Sequence, residues 1–245
     1  MANLGLPKPF PMPRTSSLEP SHTQAVEDYL KAVHDLGAAG GRVTTSALAE
    51  RLGVAAASVT GMVKKLAGLN LVEHVPYGGV VLTEAGRRIA VETIRHHRLV
   101  ETYLHAALGV PWDRLHDEAE AWEHVLSEDL EARIDAALGF PTVDPHGAPI
   151  PTADLVIPER DALPLARLDA GQTATVAEVS DHDADLLRHV GSVGLYPGIR
   201  FTVDAVASDG AVSVRLLSGE RAGEQTALRP DAAAFLSVSD VSRPE

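Results

Sequence analysis

Two stretches of the chain carry imidazole and carboxylate groups at helical spacing. His97 and Glu101 stand four residues apart, and His116, Glu120, Glu123 and His124 continue the i, i+3, i+4 pattern further on. On an α-helix these offsets place side chains on one face. The His97–Glu101 pair extends a stripe made by Leu104 and Leu108. Two ionisable groups on a face that reads as buried are costly unless they are paired or bound to a cation. One His/Glu pair at this spacing is commonly a solvated surface pair, and structural ion-pair networks give similar patterns. Two pairs on consecutive helices, with an E-x-x-E-H run in the second, make chance less attractive, and on spacing alone a metal site and a structural ion-pair network stand level. Nitrogen and oxygen donors without thiolate suit Mn(II), Fe(II), Co(II) or Zn(II). E-x-x-E-H differs by one residue from the H-x-x-E-H signature of zinc hydrolases. Glu120 stands where that motif needs its first histidine, which makes a metallohydrolase the less favoured reading.

The elements that must position these groups are legible from periodicity and caps. Ser21 and Gln24 have the form of a capping box ahead of a helix with Val26, Leu30, Val33 and Leu36 on its apolar face, ended by Gly37. Thr45 can cap a short second helix that stops at Gly53, and residues 56–69 form a third with Val59, Val63 and Leu66 inward. Leu71–Val75 and Val80–Leu82, joined by Pro-Tyr-Gly-Gly, read as a hairpin. Helix, short helix, helix, hairpin is the order of a winged helix-turn-helix. Thr83 then caps a long helix to about Leu108, closed by Gly109, and another helix is expected from Pro111 to Leu138. Six prolines in residues 141–164 predict a linker. Beyond 165, short alternating strands (174–179, 201–206, 212–217, 225–228, 235–238) with one helical stretch near 183–193 predict a small β-barrel. The expected division is an extended arm (1–20), a winged-helix domain (21–83), a helical domain (84–140), a linker (141–164) and a barrel (165–241).

Composition sets the partners. The chain has 245 residues, a net charge of −13 and no cysteine, which excludes disulfides, thiolate metal sites and thiol catalysis. No apolar run approaches the ~20 residues of a membrane span. Without a recognisable signal peptide the protein reads as cytoplasmic, with no membrane partner. The acid is unevenly spread. Residues 1–90 hold nine Lys/Arg against seven Asp/Glu, and the remainder twelve against twenty-seven, so only the N-terminal part suits phosphates. Within it Arg42, Lys64 and Lys65 are placed to meet the DNA backbone and Ser58 and Thr60 to reach base edges or phosphates, with Tyr77 at the wing tip. With so few basic residues, affinity is expected to depend on dimerisation.

The stretches A-V-E-D-Y-L-K-A-V-H-D-L (25–36), H-R-L-V-E (97–101), H-D-E-A-E-A-W-E-H-V (116–125) and D-P-H-G-A-P-I-P (144–151) resemble, in order, the diphtheria-toxin-repressor and manganese-transport-regulator family. The resemblance covers about residues 21–151 and implies an α+β fold: winged helix-turn-helix, helical dimerisation domain and C-terminal SH3-like (FeoA-type) barrel. It implies a homodimeric repressor of metal-uptake genes that binds a pseudo-palindromic operator when metal is present. Carried over by position, the primary metal site would use Asp28, Glu120, Glu123 and His124. The ancillary site would use His97, Glu101 and His116, completed from the S-D-H-D stretch by Asp183 or His182. Iron-responsive members tend to have Met where Asp28 stands and Cys where Glu120 stands. Oxygen at both resembles the manganese-responsive branch, so Mn(II) is the expected metal, then Fe(II), with Zn(II), Co(II) or Cd(II) as substitutes in vitro. Lys31 departs from the pattern: manganese regulators commonly have a second carboxylate there, which argues against a two-metal cluster of that type and could put an ammonium in its place. The competing readings are a metal-independent winged-helix regulator, whose DNA binding would ignore chelators, and the metallohydrolase.

Overall fold

The structure is a computed structural model that describes residues 22–38, 42–75 and 79–243. The expected Ser21 cap, the N-terminal arm and Tyr77 lie outside the described residues. The first domain contains α1 (Gln24–Ala38), α2 (Thr45–Leu52), α3 (Ala56–Gly68) and an antiparallel hairpin of β1 (Val72–Val75) and β2 (Gly79–Leu82). Its core is the predicted stripe: Leu30, Val33, Leu48, Val59, Val63, Leu66 and Val80 are buried together. Thr44, not Thr45, caps α2 by accepting from the backbone N–H of Ala47, because the helix itself begins at Thr45. Gly53 ends α2 in the left-handed conformation at φ 64°.

Helix α4 (Glu84–Leu108) is the spine of the molecule. Its 25 residues span about 37 Å at ~1.5 Å per residue, so one rigid element belongs to both the first domain and the second. Thr83 locks its start: the hydroxyl accepts from Gly86 N and donates to Asn70 O at 2.8 Å. Gly86 lies hard against β1's approach, where a Cβ would fall 1.9 Å from the Leu71 carbonyl oxygen.

The helix expected from Pro111 to Leu138 is broken. A 3-10 turn (112–114) leads into α5 (Leu115–Trp122), a second 3-10 turn covers 123–125, and α6 (Glu128–Ala137) starts afresh on the Ser127 cap. The break follows from Leu126, whose ψ of 122° is extended, and from Ser127, whose hydroxyl accepts from Leu130 N as helix caps do. The proline-rich stretch also differs from a solvated linker. Asp144 Oδ1 accepts from His146 N and Ala148 N, and Pro149 O and Pro151 O accept from Arg98 and Arg95 of α4. Residues 144–151 are therefore strapped along α4, with Asp144 and His146 buried.

The C-terminal domain comprises β3 (Leu163–Pro164), β4 (Thr173–Val179), α7 (Ala184–Ser192), β5 (Arg200–Val206), β6 (Val212–Leu216), β7 (Gln225–Leu228), α8 (Pro230–Ala234) and β8 (Leu236–Ser242). Six strands form one antiparallel sheet in the order β3-β8-β4-β5-β6-β7 around Val176, Leu187, Phe201, Val203 and Val214. The domain sits against the strap: Val179 N donates to His146 O at 2.9 Å, and Gly147 (φ 91°) passes so close that a Cβ would lie 2.2 Å from Ala177 O. Trp112 and Tyr196 meet edge to face at 5.1 Å across the same boundary. The whole is an α+β fold, and none of the described helices is long and apolar enough to cross a membrane.

Candidate metal centre

Four overlapping sets of donor side chains meet where α1, α4, α5 and the C-terminal domain converge. In each set the donor atoms lie within 4.8 Å of one another: Asp28, Glu123 and His124; His97, Glu101, His116 and Asp181; His97, Glu120 and Glu123; and Glu101, Asp144 and His146.

The first set joins α1 to the turn that breaks the helical domain. His124 Nε2 is 2.9 Å from Asp28 Oδ1 and 3.4 Å from Glu123 Oε1. Its other nitrogen, Nδ1, lies 2.6 Å from Glu27 Oε2. Protonated on both nitrogens, His124 faces Glu27 through Nδ1 and Asp28 through Nε2. Loss of the Nε2 proton leaves a lone pair between the Asp28 and Glu123 carboxylates with Nδ1 still held by Glu27, the arrangement that orients a metal-bound imidazole. Burial opposes the charge on His124, but Asp28, Glu27 and Glu123 outweigh it and raise its pKa to about 9.

The second set joins α4, α5 and the C-terminal domain. His97 Nε2 is 3.4 Å from Glu101 Oε1 and 3.8 Å from Asp181 Oδ2, and His116 Nδ1 is 3.2 Å from Asp181 Oδ2. His97 Nδ1 meets Glu123 Oε2 in a short contact, so Glu123 serves the first set and orients the histidine of the second. Glu101 is fully buried; burial would raise its pKa, but His97 and His146 hold it at about 2. Asp144 beside it is raised to about 7 by burial and by the Glu101 charge.

The residues expected from the sequence do not all meet. Glu120 does not join the Asp28 set but groups with His97 and Glu123, and Lys31 Nζ donates to its Oε1 at 2.8 Å. Burial works against the Lys31 charge, yet Glu123 and Glu120 more than offset it and raise its pKa above the usual lysine value, so the ammonium stays charged. Neither Asp183 nor His182 joins the ancillary set; Asp181 takes that place. Asp183 caps α7, its Oδ1 accepting from Asp185 N and Leu186 N. His182 is exposed at the rim, its Nδ1 3.0 Å from Asp181 Oδ1 and its ring 5.8 Å from that of His116, with Arg51 of α2 3.3 Å from both ring nitrogens. The sequence held the signal: an aspartate just before an apolar helical stripe is an N-cap first. Asp144 and His146 were hidden by the prolines around them, and Glu27 by its apparent place on a solvated face.

The donors fit a metal. Asp28 Oδ1, His124 Nε2, His97 Nε2, both oxygens of Glu101 and His146 Nδ1 are buried and make no hydrogen bond. Buried polar atoms are normally satisfied, and these fall into separate groups, Asp28 with His124 and Glu101 with His97 or His146, each of which a cation would complete. All are nitrogen or oxygen, which suits a hard or borderline divalent ion.

Away from this centre, Ser58, Thr60, Lys64 and Lys65 line the exposed face of α3, and Arg42 is exposed beside the hairpin. The Thr60 hydroxyl donates to Ala56 O at 3.0 Å, leaving its lone pairs outward. On the helical domain Trp122, Val125, Leu130 and Phe140 are exposed, Val125 by 80%.

Three family profiles tile the chain: "Iron dependent repressor, N-terminal DNA binding domain" over residues 22–80, "Iron dependent repressor, metal binding and dimerisation domain" over 83–152, and "FeoA domain" over 163–240. The iron-dependent repressor IdeR of Mycobacterium tuberculosis is 34% identical over 200 residues, covering 77% of this chain and 87% of that protein. The diphtheria toxin repressor of Corynebacterium diphtheriae is 33% identical over 128 residues, covering 52% of this chain and 57% of that one. Among solved structures, a manganese-dependent transcriptional repressor in complex with manganese superposes with a TM-score of 0.81 at 43% identity, over 87% of this chain and 98% of that one. The crystal structure of T. acidophilum IdeR gives a TM-score of 0.72 at 27% identity, over 92% of this chain and 99% of that one.

Proposed function

The chain belongs to the diphtheria-toxin-repressor family of metal-dependent transcriptional repressors, and from that membership we propose that it is a Mn(II)-responsive repressor of metal-uptake genes. Its relatives are DNA-binding repressors rather than enzymes, which disposes of the hydrolase reading. DNA and a second copy of the chain are the partners that the matched DNA-binding and dimerisation domains indicate. The finer reading is a pseudo-palindromic operator read by two copies of α3, with half-sites about one helical turn apart. In it Lys64, Lys65 and Arg42 contact phosphates, Ser58 and Thr60 reach base edges, and Trp122, Val125, Leu130 and Phe140 form the apolar face between protomers.

One observation carries the proposal: Asp28 stands on the first helix of the reading head, while Glu123 and His124 stand on the dimerisation domain, and their buried donor atoms face one another. A bound divalent cation supplies the positive charge that lets these donors share one point. The chain's own residues do the rest. Asp28 holds α1, Glu123 and His124 hold the turn after α5, and together they fix the angle between α3 and the dimer face. Without that cation the Asp28 and Glu123 carboxylates are joined only through the His124 imidazole, a weaker tie that favours a mobile head. Metal and operator then bind the same member of the ensemble, so each tightens the other. The second cluster (His97, Glu101, His116 and Asp181) is the ancillary site in this reading, and it ties the C-terminal domain to the same centre. The all-oxygen-and-nitrogen donor set favours Mn(II). Fe(II) is the second reading, favoured by relatives named for iron.

Glu123→Ala removes a donor from the first cluster and the orienting partner of His97 in the second. It is expected to abolish Mn(II)-dependent retardation of operator DNA in a gel, with Glu118→Ala, an exposed neighbour, behaving as wild type. A Glu123→Ala protein that still shifts DNA only when Mn(II) is present would contradict the assignment.

A further inference from the structure

One set of donors at this centre already surrounds a cation of the chain's own. Lys31 Nζ donates to Glu120 Oε1 at 2.8 Å and to the two oxygens of Glu123 at 3.1 and 2.9 Å, and it lies 3.2 Å from His97 Nδ1. Glu120, Glu123 and His97 are also one of the sets whose donor atoms lie mutually within 4.8 Å. Two carboxylates and an imidazole are the same chemistry as the neighbouring sets. Lys31 itself is only 8% exposed, which a lysine tolerates when its charge is matched by partners. Three residues after Asp28, it shares that residue's side of α1. Its cage is the joint of the centre: Glu123 belongs also to the Asp28–His124 cluster, and His97 to the cluster with Glu101, His116 and Asp181.

We propose that Lys31 is a specificity-determining residue whose tethered ammonium is the resident cation of this third cage, excluding a divalent ion from it and confining metal to the flanking clusters. The inference rests on the metal-sensing reading above. The ammonium is covalently held, so it meets the carboxylates at a local concentration no free ion reaches, and a second cation entering the cage would face its charge at close range. It also keeps Glu120 turned away from the Asp28 cluster, so that cluster keeps three side-chain donors.

The test is a count of bound Mn(II). Free Mn(II) is followed by its aqueous paramagnetic resonance signal during titration of the full-length wild type and of Lys31→Ala, Lys31→Ser and Lys31→Arg. Lys31→Ala and Lys31→Ser are expected to bind one more Mn(II) per protomer than wild type and to gain more in melting temperature from Mn(II); Lys31→Arg, which keeps the cation, is expected to match the wild-type count. An alanine or serine variant that folds only once Mn(II) is added and binds the extra ion supports the proposal too. Variants that bind the wild-type number of ions, or that fail to fold even with Mn(II), overturn it, because the ion then does not take the ammonium's place. Wild type that binds no Mn(II) overturns the metal-sensing reading itself, whereas wild type that binds with an unchanged count in both small variants overturns the present inference alone.

Discussion

His124 shows how closely charge is balanced at this centre. Its imidazole ordinarily titrates at 6.5 and is raised to about 9 in the folded chain, because Asp28 and Glu27 outweigh the cost of burying it. A group whose folded pKa is raised stabilises the fold fully below its unfolded value and loses that contribution as pH rises through the folded one. Chelated protein should therefore lose stability between about pH 6.5 and 9. A metal ligand must be the neutral imidazole, so the ion competes with this proton and its affinity rises over the same window. The increase in melting temperature caused by Mn(II) is expected to grow from pH 6.5 towards 9; an increase that shrinks with pH would remove His124 from the ligand set. A second contrast separates neighbours in one loop. Asp181→Ala should weaken Mn(II) binding at the second cluster, measured calorimetrically, while Asp183→Ala should cost about 1 kcal/mol of stability as a lost helix cap and leave the metal isotherm unchanged. Reversal of those two results would restore Asp183 as the donor. At this scale helical offsets alone put His97 beside Glu101 and His116 beside Glu120, and the structure places them so. It does not show which oxygen of an S-D-H-D loop turns inward, because that depends on where α7 begins.

Elements decide the rest of the geometry. The start of α4 is held by the Thr83 cap and by contact with the chain entering β1, with no room for a side chain at Gly86. Gly86→Ala forces a Cβ onto the Leu71 carbonyl oxygen and should destabilise the first domain by roughly 1–3 kcal/mol, the usual range for overpacking, read from urea unfolding. A variant as stable as wild type would mean that this junction yields without cost. The winged-helix elements were readable because they have a period and a stop: Gly53 ends α2 in the left-handed conformation, and β1 and β2 stand on either side of Pro-Tyr-Gly. The broken helix after Pro111 was not. Residues 115–137 contain neither glycine nor proline to stop a helix, and only the Ser127 cap, ambiguous inside such a run, announces the turn that directs Glu123 and His124 towards α1. The strap at 144–151 was missed for a different reason: prolines signal the lack of regular structure, not the lack of packing, and this segment spends its carbonyls on Arg95 and Arg98.

At the scale of the whole molecule, the −13 net charge hides a division of labour. The acid gathers in the helical and C-terminal domains, and α3 in the matched DNA-binding domain keeps an exposed face of small polar and basic residues. The Asp28, Glu123 and His124 set joins the first domain to the helical domain, and the His97, Glu101, His116 and Asp181 set joins the helical domain to the C-terminal one. Long-range placement of this kind is outside the reach of periodicity; family resemblance supplied Asp28 as a partner of Glu123, and the structure brings the two together with His124. The most direct test is fluorescence anisotropy of a labelled palindromic operator, titrated with protein in Mn(II) and in chelator. The account predicts binding that tightens at least tenfold with Mn(II) in the wild type and by less than twofold in Asp28→Ala. Equal affinity in Mn(II) and chelator would contradict it, leaving a winged-helix DNA-binding protein whose buried carboxylates and histidines serve structure alone.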